Sequence, residues 1–209
     1  MSHGFVRARD GTFTTFDVRG AGTSPGQGTG PSYSSGLNPE GAVTGFYTDA
    51  DYAWHAFIRA PDGRTTRFDV RGAGTSADQG TMAWGINPAG ATTGPYVDKD
   101  YVWHAFIRAP DGRITTFDIR GAQGTGAGSI DAEGAVTGYY WDASNVYHGY
   151  VRAPDGRITT FDAPGAGTGS GQGTLPCTIS PAGAITGYYI DADGVYHGFL
   201  RPAVPWQFF

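Results

Sequence analysis

Apolar residues in this chain fall in short runs rich in aromatic and β-branched side chains, cut by Gly, Pro and Asp, and no window keeps a 3.6-residue period. The clearest stretch is His148–Asp162, HGYVRAPDGRITTFD. It predicts two short strands joined by Pro154-Asp155-Gly156. Pro and Asp suit a type I turn, and Gly supplies the left-handed residue that closes a three-residue hairpin. Pairing centred on Asp155 sets His148 opposite Asp162. The same arithmetic sets His3 against Asp17, His55 against Asp69 and His104 against Asp118. A further copy begins at His197 and ends without the Asp.

From each hairpin a Gly-rich connection leads to an apolar piece ending in a turn: SSGLNPEG (34–41), WGINPAG (84–90), GSIDAEG (128–134) and CTISPAG (177–183). Then come AVTGFYTDADYAW (42–54), ATTGPYVDKDYVW (91–103), AVTGYYWDASNVY (135–147) and AITGYYIDADGVY (184–196), after which the His strand returns. Each unit therefore reads as strands A (x-G-I-N-P-x-G), B (A-V-T-G-Y-Y), C (H-G-F-V-R) and D (I-T-T-F-D). Successive His residues are 52, 49, 44 and 49 positions apart. Four strands at this period predict a β-propeller of four-stranded antiparallel blades, one domain over 1–209 with repeats of about 49 residues. Four blades, closed by strands from both termini, is the preferred arrangement. Five blades or a swapped oligomer stay open, because the chain has more C strands than A strands.

Composition narrows the class. The net charge is -5 without a basic run, which argues against nucleic-acid and membrane partners. The 35 Gly and 13 Pro recur at fixed stations, so they mark turns rather than low complexity. No apolar run approaches a membrane span and no signal peptide opens the chain. A single Cys excludes an internal disulfide.

The tripeptides HAF (55–57, 104–106) and HGF (3–5, 197–199), with T-G-Y-Y and F-D-x-x-G-A, resemble the bacterial extracellular "HAF" repeats over nearly the whole chain. That resemblance implies a propeller-like array, commonly in exported proteins, and carries no general activity. Pro95 interrupts T-G-Y-Y, and the last hairpin lacks its Asp. The strand order also resembles NHL-type propellers.

Among residues able to carry chemistry, a ring of His55, His104, His148 and His197 could bind a transition metal. A His that faces an Asp in every unit more simply holds its blade together, so no metal and no cofactor are expected. The arginines Arg7, Arg59, Arg108, Arg152 and Arg201 are expected to pair with carboxylates or carbonyls. DADG (191–194), echoed at Asp49/Asp51 and Asp98/Asp100, has the look of a calcium loop but suits a B–C turn.

Residues that differ between copies mark a candidate site. Aligned on Gly-Thr, Trp84, Gly128 and Cys177 are equivalent, and so are Met82, Gly126 and Leu175. One asymmetric pocket at the channel mouth is expected, with Tyr33, Met82, Trp84 and Cys177 as its apolar wall. Asp78 would be the acid or base and Cys177 a possible nucleophile. The expected function is a monomeric small-molecule binder, or a lyase, isomerase or hydrolase. The alternative is a multivalent carbohydrate-binding lectin or adhesion scaffold, using Tyr52/Trp54, Tyr101/Trp103, Tyr147 and Tyr196 to stack sugars. A structural interaction platform without a small ligand is the third.

Overall fold

The computed structural model describes residues 1–32 and 35–203, and these are all-β with no helix. β1 (Gly4–Arg7) and β2 (Phe13–Phe16) form a first hairpin. Unit one contains β3 (Gly28–Pro31), β4 (Val43–Thr48), β5 (Trp54–Arg59) and β6 (Thr65–Phe68). In unit two strand A is split into β7 (Gly80–Thr81) and β8 (Gly85–Ile86), followed by β9 (Thr92–Val97), β10 (Trp103–Arg108) and β11 (Ile114–Phe117). Unit three contains β12 (Gly124–Ile130), β13 (Val136–Trp141), β14 (Tyr147–Arg152) and β15 (Ile158–Phe161). Unit four contains β16 (Gly173–Ile179), β17 (Ile185–Ile190) and β18 (Tyr196–Arg201).

Within a unit the order is an antiparallel A-B-C-D meander. The C–D hairpins form as the sequence predicts. Their turn glycines lie at φ of 90–94°, and each turn Asp accepts the backbone N–H two residues on.

Strand A begins earlier than expected, at the Gly-Thr that reads as connection. Gly28, Gly80 and Gly173 dock against Ser2, Trp54 and Tyr147 of the preceding C strand in parallel pairing. A Cβ at any of the three would strike that strand's carbonyl, so glycine is required there. The next residue fastens the joint: Thr29, Thr81 and Thr174 accept, through Oγ1, the N–H of Val18, Val70 and Ala163. Gln27, Gln79 and Gln172 complete it. Each accepts a loop N–H through Oε1 and donates Nε2 to a B–C turn carbonyl.

The core lies between units rather than within them. Phe57, Phe106, Tyr150 and Phe199 meet the D-strand Phe16, Phe68, Phe117 and Phe161 of the unit before, edge to face at 5.9–6.1 Å. Arg59, Arg108, Arg152 and Arg201 cover the same rings at 4.9–5.0 Å. The arginines thus take aromatic faces that were not expected, an attraction of about 0.5–1 kcal/mol each, and Arg108 and Arg152 also donate to carbonyls, those of Ala109 and Ala153 at 3.4 Å, as expected. A ladder of turn residues runs beside this seam. Asn38 donates to the carbonyl of Asn87, and Asn87 to that of Asp131.

Among the described residues no strand pairing joins the first hairpin to unit four. The flank of β17 that closure from both termini would use is occupied by β18.

Phe57 is fully buried at the seam, while Phe5, its counterpart in the first hairpin, is 57% exposed. Phe57→Ala should therefore cost about 3–5 kcal/mol and Phe5→Ala about 1 kcal/mol or less, read from chemical-denaturation midpoints.

Candidate functional site

Strand pairing and a turn carboxylate place three of the five His side chains between two aspartates. His55 Nδ1 lies 2.9 Å from Asp69, and Nε2 lies 3.1 Å from Asp49 at the start of the B–C turn. His104 sits in the same way between Asp118 and Asp98, and His148 between Asp162 and Asp142. His197 faces Asp191 alone, and His3 faces Asp17 alone. The B-strand Tyr47, Tyr96, Tyr140 and Tyr189 stack on these rings at 4.9–5.0 Å. The Asp opposite each His was legible in the hairpin arithmetic. The second one was missed, since the turn aspartates suggested calcium instead. Those carboxylates are already engaged: in Asp49, Asp98, Asp142 and Asp191, Oδ1 accepts two backbone N–H groups of its own turn. Among the described residues no group of three His, Cys, Asp or Glu side chains is disposed to hold a metal.

The hydrogen bond that His55 Nδ1 donates to Asp69 is the main influence raising the His55 pKa. Burial opposes it, and Asp49 adds to it. Burial would raise the Asp49 carboxyl, but the His55 ring and the Ala53 and Asp51 amides together bring it below its usual value.

The expected pocket residues are dispersed. Tyr33 lies outside the described residues. Met82 is buried, whereas Asp78 is exposed in the D–A loop, with its N–H on the Tyr52 carbonyl. Cys177 is half-buried, its thiol pKa is raised by burial, and its Sγ lies 3.8 Å from the Leu175 carbonyl, so nothing there favours a thiolate. Trp84 packs on Trp103, Trp103 on Trp141, and Trp141 on Tyr139. Tyr139, whose pKa burial pushes up to about 12, lies near Cys177. Trp84 and Cys177 therefore stand at the two ends of one aromatic run.

The space beside the unit-three glycines is taken up from within that unit. Gly124 and Gly126 pair with Trp141 and Tyr139, whose rings lie against them. Unit two reverses the exchange, with Met82 and Trp84 on strand A and the smaller Pro95 and Val97 on strand B. At the station shared by Met82 and Gly126 the exchange between strands A and B is thus reciprocal, whereas Leu175 of unit four lies opposite Tyr188. Among the described residues, shallow hollows lie beside Phe5 and Leu37, beside Tyr47 and Arg67, and beside Arg113 and Glu133.

The B–C turns and D–A loops do share one end of the units, as expected. There Tyr52 and Tyr101 hold left-handed backbones, φ 64° and 63°, and their rings are 42% and 58% exposed. Each hydroxyl donates to a loop carbonyl, Tyr52 to Pro25 at 3.3 Å and Tyr101 to Ala77 at 3.4 Å. The same station holds Asn145 in unit three and Gly194 in unit four, residues for which this conformation is easy.

The geometry defines an all-β protein of antiparallel units of three or four strands, with a His–Asp contact on each C strand and exposed turn tyrosines on two of the units. No protein-family model matches the chain, and no curated protein matches it.

A histidine whose pKa is raised on folding contributes stability below its unfolded pKa and loses it as pH rises through the folded one. His55→Gln should consequently lose more stability relative to the parent at about pH 5.5 than at about pH 8.5, by denaturation at each pH.

Proposed function

We propose that this chain is a carbohydrate-binding scaffold of HAF-type, propeller-like units, in which Tyr52 and Tyr101 are the sugar-stacking platforms. The observation that carries this reading is the left-handed backbone under two exposed tyrosines, where sister units hold Asn and Gly. A bulky residue there costs roughly 1–2 kcal/mol, a cost the fold does not require, since Asn145 and Gly194 serve the same turn. Each ring is held against a loop by its hydroxyl, leaving an amphipathic face toward solvent beside Asp51 or Asp100. Such a face suits the C–H surface of a pyranose, and the carboxylates suit its hydroxyls.

The propeller-like arrangement draws support from the A strands. Ser35 of unit one pairs with Gly85 of unit two, and its Oγ lies 3.2 Å from Ser129 Oγ of unit three. Three units thus approach one axis along their A strands. The half-buried run from Trp84 to Cys177 favours a second reading, a single small-molecule site on that run.

Tyr52→Gly and Tyr101→Gly separate these readings, because they remove the ring and relieve the backbone together. On a glycan array and by titration calorimetry the double variant should lose binding. Its melting temperature should match or exceed the parent's. Binding retained by the double variant and abolished by Trp84→Ala would replace the carbohydrate reading with the pocket on the aromatic run.

A further inference from the structure

The first hairpin carries a C strand without its B strand. β5, β10 and β14 are each flanked by a B strand on one side and a D strand on the other. Among the described residues β1 pairs only with β2. Three side chains register the vacancy. Leu37 is 60% exposed, while its counterparts Ile86, Ile130 and Ile179 are 5–6% exposed. Ile130 reaches that burial by packing on Ala91, Ala105 and Ile107 of the unit before, beside its B strand. The His3 ring is 55% exposed against 21–23% for His55, His104 and His148, and among the described residues it has neither a stacked Tyr nor a second Asp. Phe5, Val6 and Arg7 of β1 line one hollow together with Gly36, Leu37 and Val43.

We propose that the open flank of β1 is a strand-accepting site for an extended segment of the pattern T-G-aromatic-Tyr-x-Asp, the B-strand pattern of the filled units. Register and continuity with the existing unit-to-unit interface specify the occupant. At every filled position the B-strand Gly lies opposite the C-strand aromatic: Gly45 with Phe57, Gly94 with Phe106, Gly138 with Tyr150, Gly187 with Phe199. A Cβ on Gly138 or Gly187 would come within 2.8–2.9 Å of that aromatic side chain, so the guest needs Gly opposite Phe5. The residue after the aromatic is a Tyr, which stacks on the His. Two residues later comes the Asp that faces Nε2, as Asp142 does for His148. A guest of this pattern pairs with the β1 backbone, covers Leu37, stacks on His3 and supplies its missing carboxylate, a case of β-augmentation. The site stands apart from Tyr52 and Tyr101, so it does not rest on the carbohydrate reading.

The probe is the peptide AVTGYYWDA, residues 135–143 of this chain, titrated into the 209-residue protein by fluorescence anisotropy. Saturable one-to-one binding is expected, with slowed amide exchange in Gly4–Arg7. A Gly138→Val peptide and a Leu37→Asp protein should each bind at least about ten-fold more weakly; Leu37 is exposed, so that variant should still fold. No saturable binding, indifference to both substitutions, or protection at β18 in place of β1 would overturn the proposal. Binding that appears only after residues 204–209 are removed would also overturn it, assigning the flank to the chain's own tail.

Discussion

A D-strand phenylalanine in this protein has no core of its own unit to enter. Its strand is the outermost of a flat meander, so its ring is covered only when the next unit lays an aromatic residue and an arginine across it. Burying apolar surface is the dominant favourable term in folding, and here most of it is available only between neighbours. The glycines at 28, 80 and 173 follow from the same constraint. Two backbones must come close enough for a parallel pairing that locks one unit to the next, and a side chain would hold them apart. Stability in such an array is approximately a sum over units and seams, and the exposed Phe5 shows what a unit loses when a seam is missing.

Polar stations serve the same end. The His between two carboxylates ties the B–C turn to the D strand, and the Tyr on its face ties in the B strand, so one imidazole orders three strands. The Q-G-T stations do the equivalent work for the D–A loops. One position that varies among copies does so together with its partner across the strands. Where strand A gives up bulk at Gly126, strand B returns it as Tyr139, because the volume between neighbouring units is held constant by the seams on either side.

The turn tyrosines stand outside this economy. Their rings join none of the buried aromatic seams, they occupy a backbone conformation that disfavours them, and other units manage the same turn with Asn or Gly. Strain held at an exposed ring, rather than spread through a core, is the observation on which the proposed sugar platforms rest.

Much of the architecture was legible in residue order because it is local. Hairpin register follows from turn length, so the pairing of His148 with Asp162 and the strand alternation could be counted from Asp155. Four strands per unit followed from the period. What the order of residues could not convey was which neighbour supplies each partner. The second Asp on each His, the phenylalanine under each Arg, and the ring that fills the space beside Gly126 all depend on strands that approach through space. Reading variable positions one strand at a time suggested a hollow at Trp84 and Cys177. In the folded units these two residues stand at the ends of a run through Trp103, Trp141 and Tyr139, and Met82 is buried. Local dihedral preferences settle turns and registers; packing against a neighbour is a property of pairs of units, and only their assembly decides it.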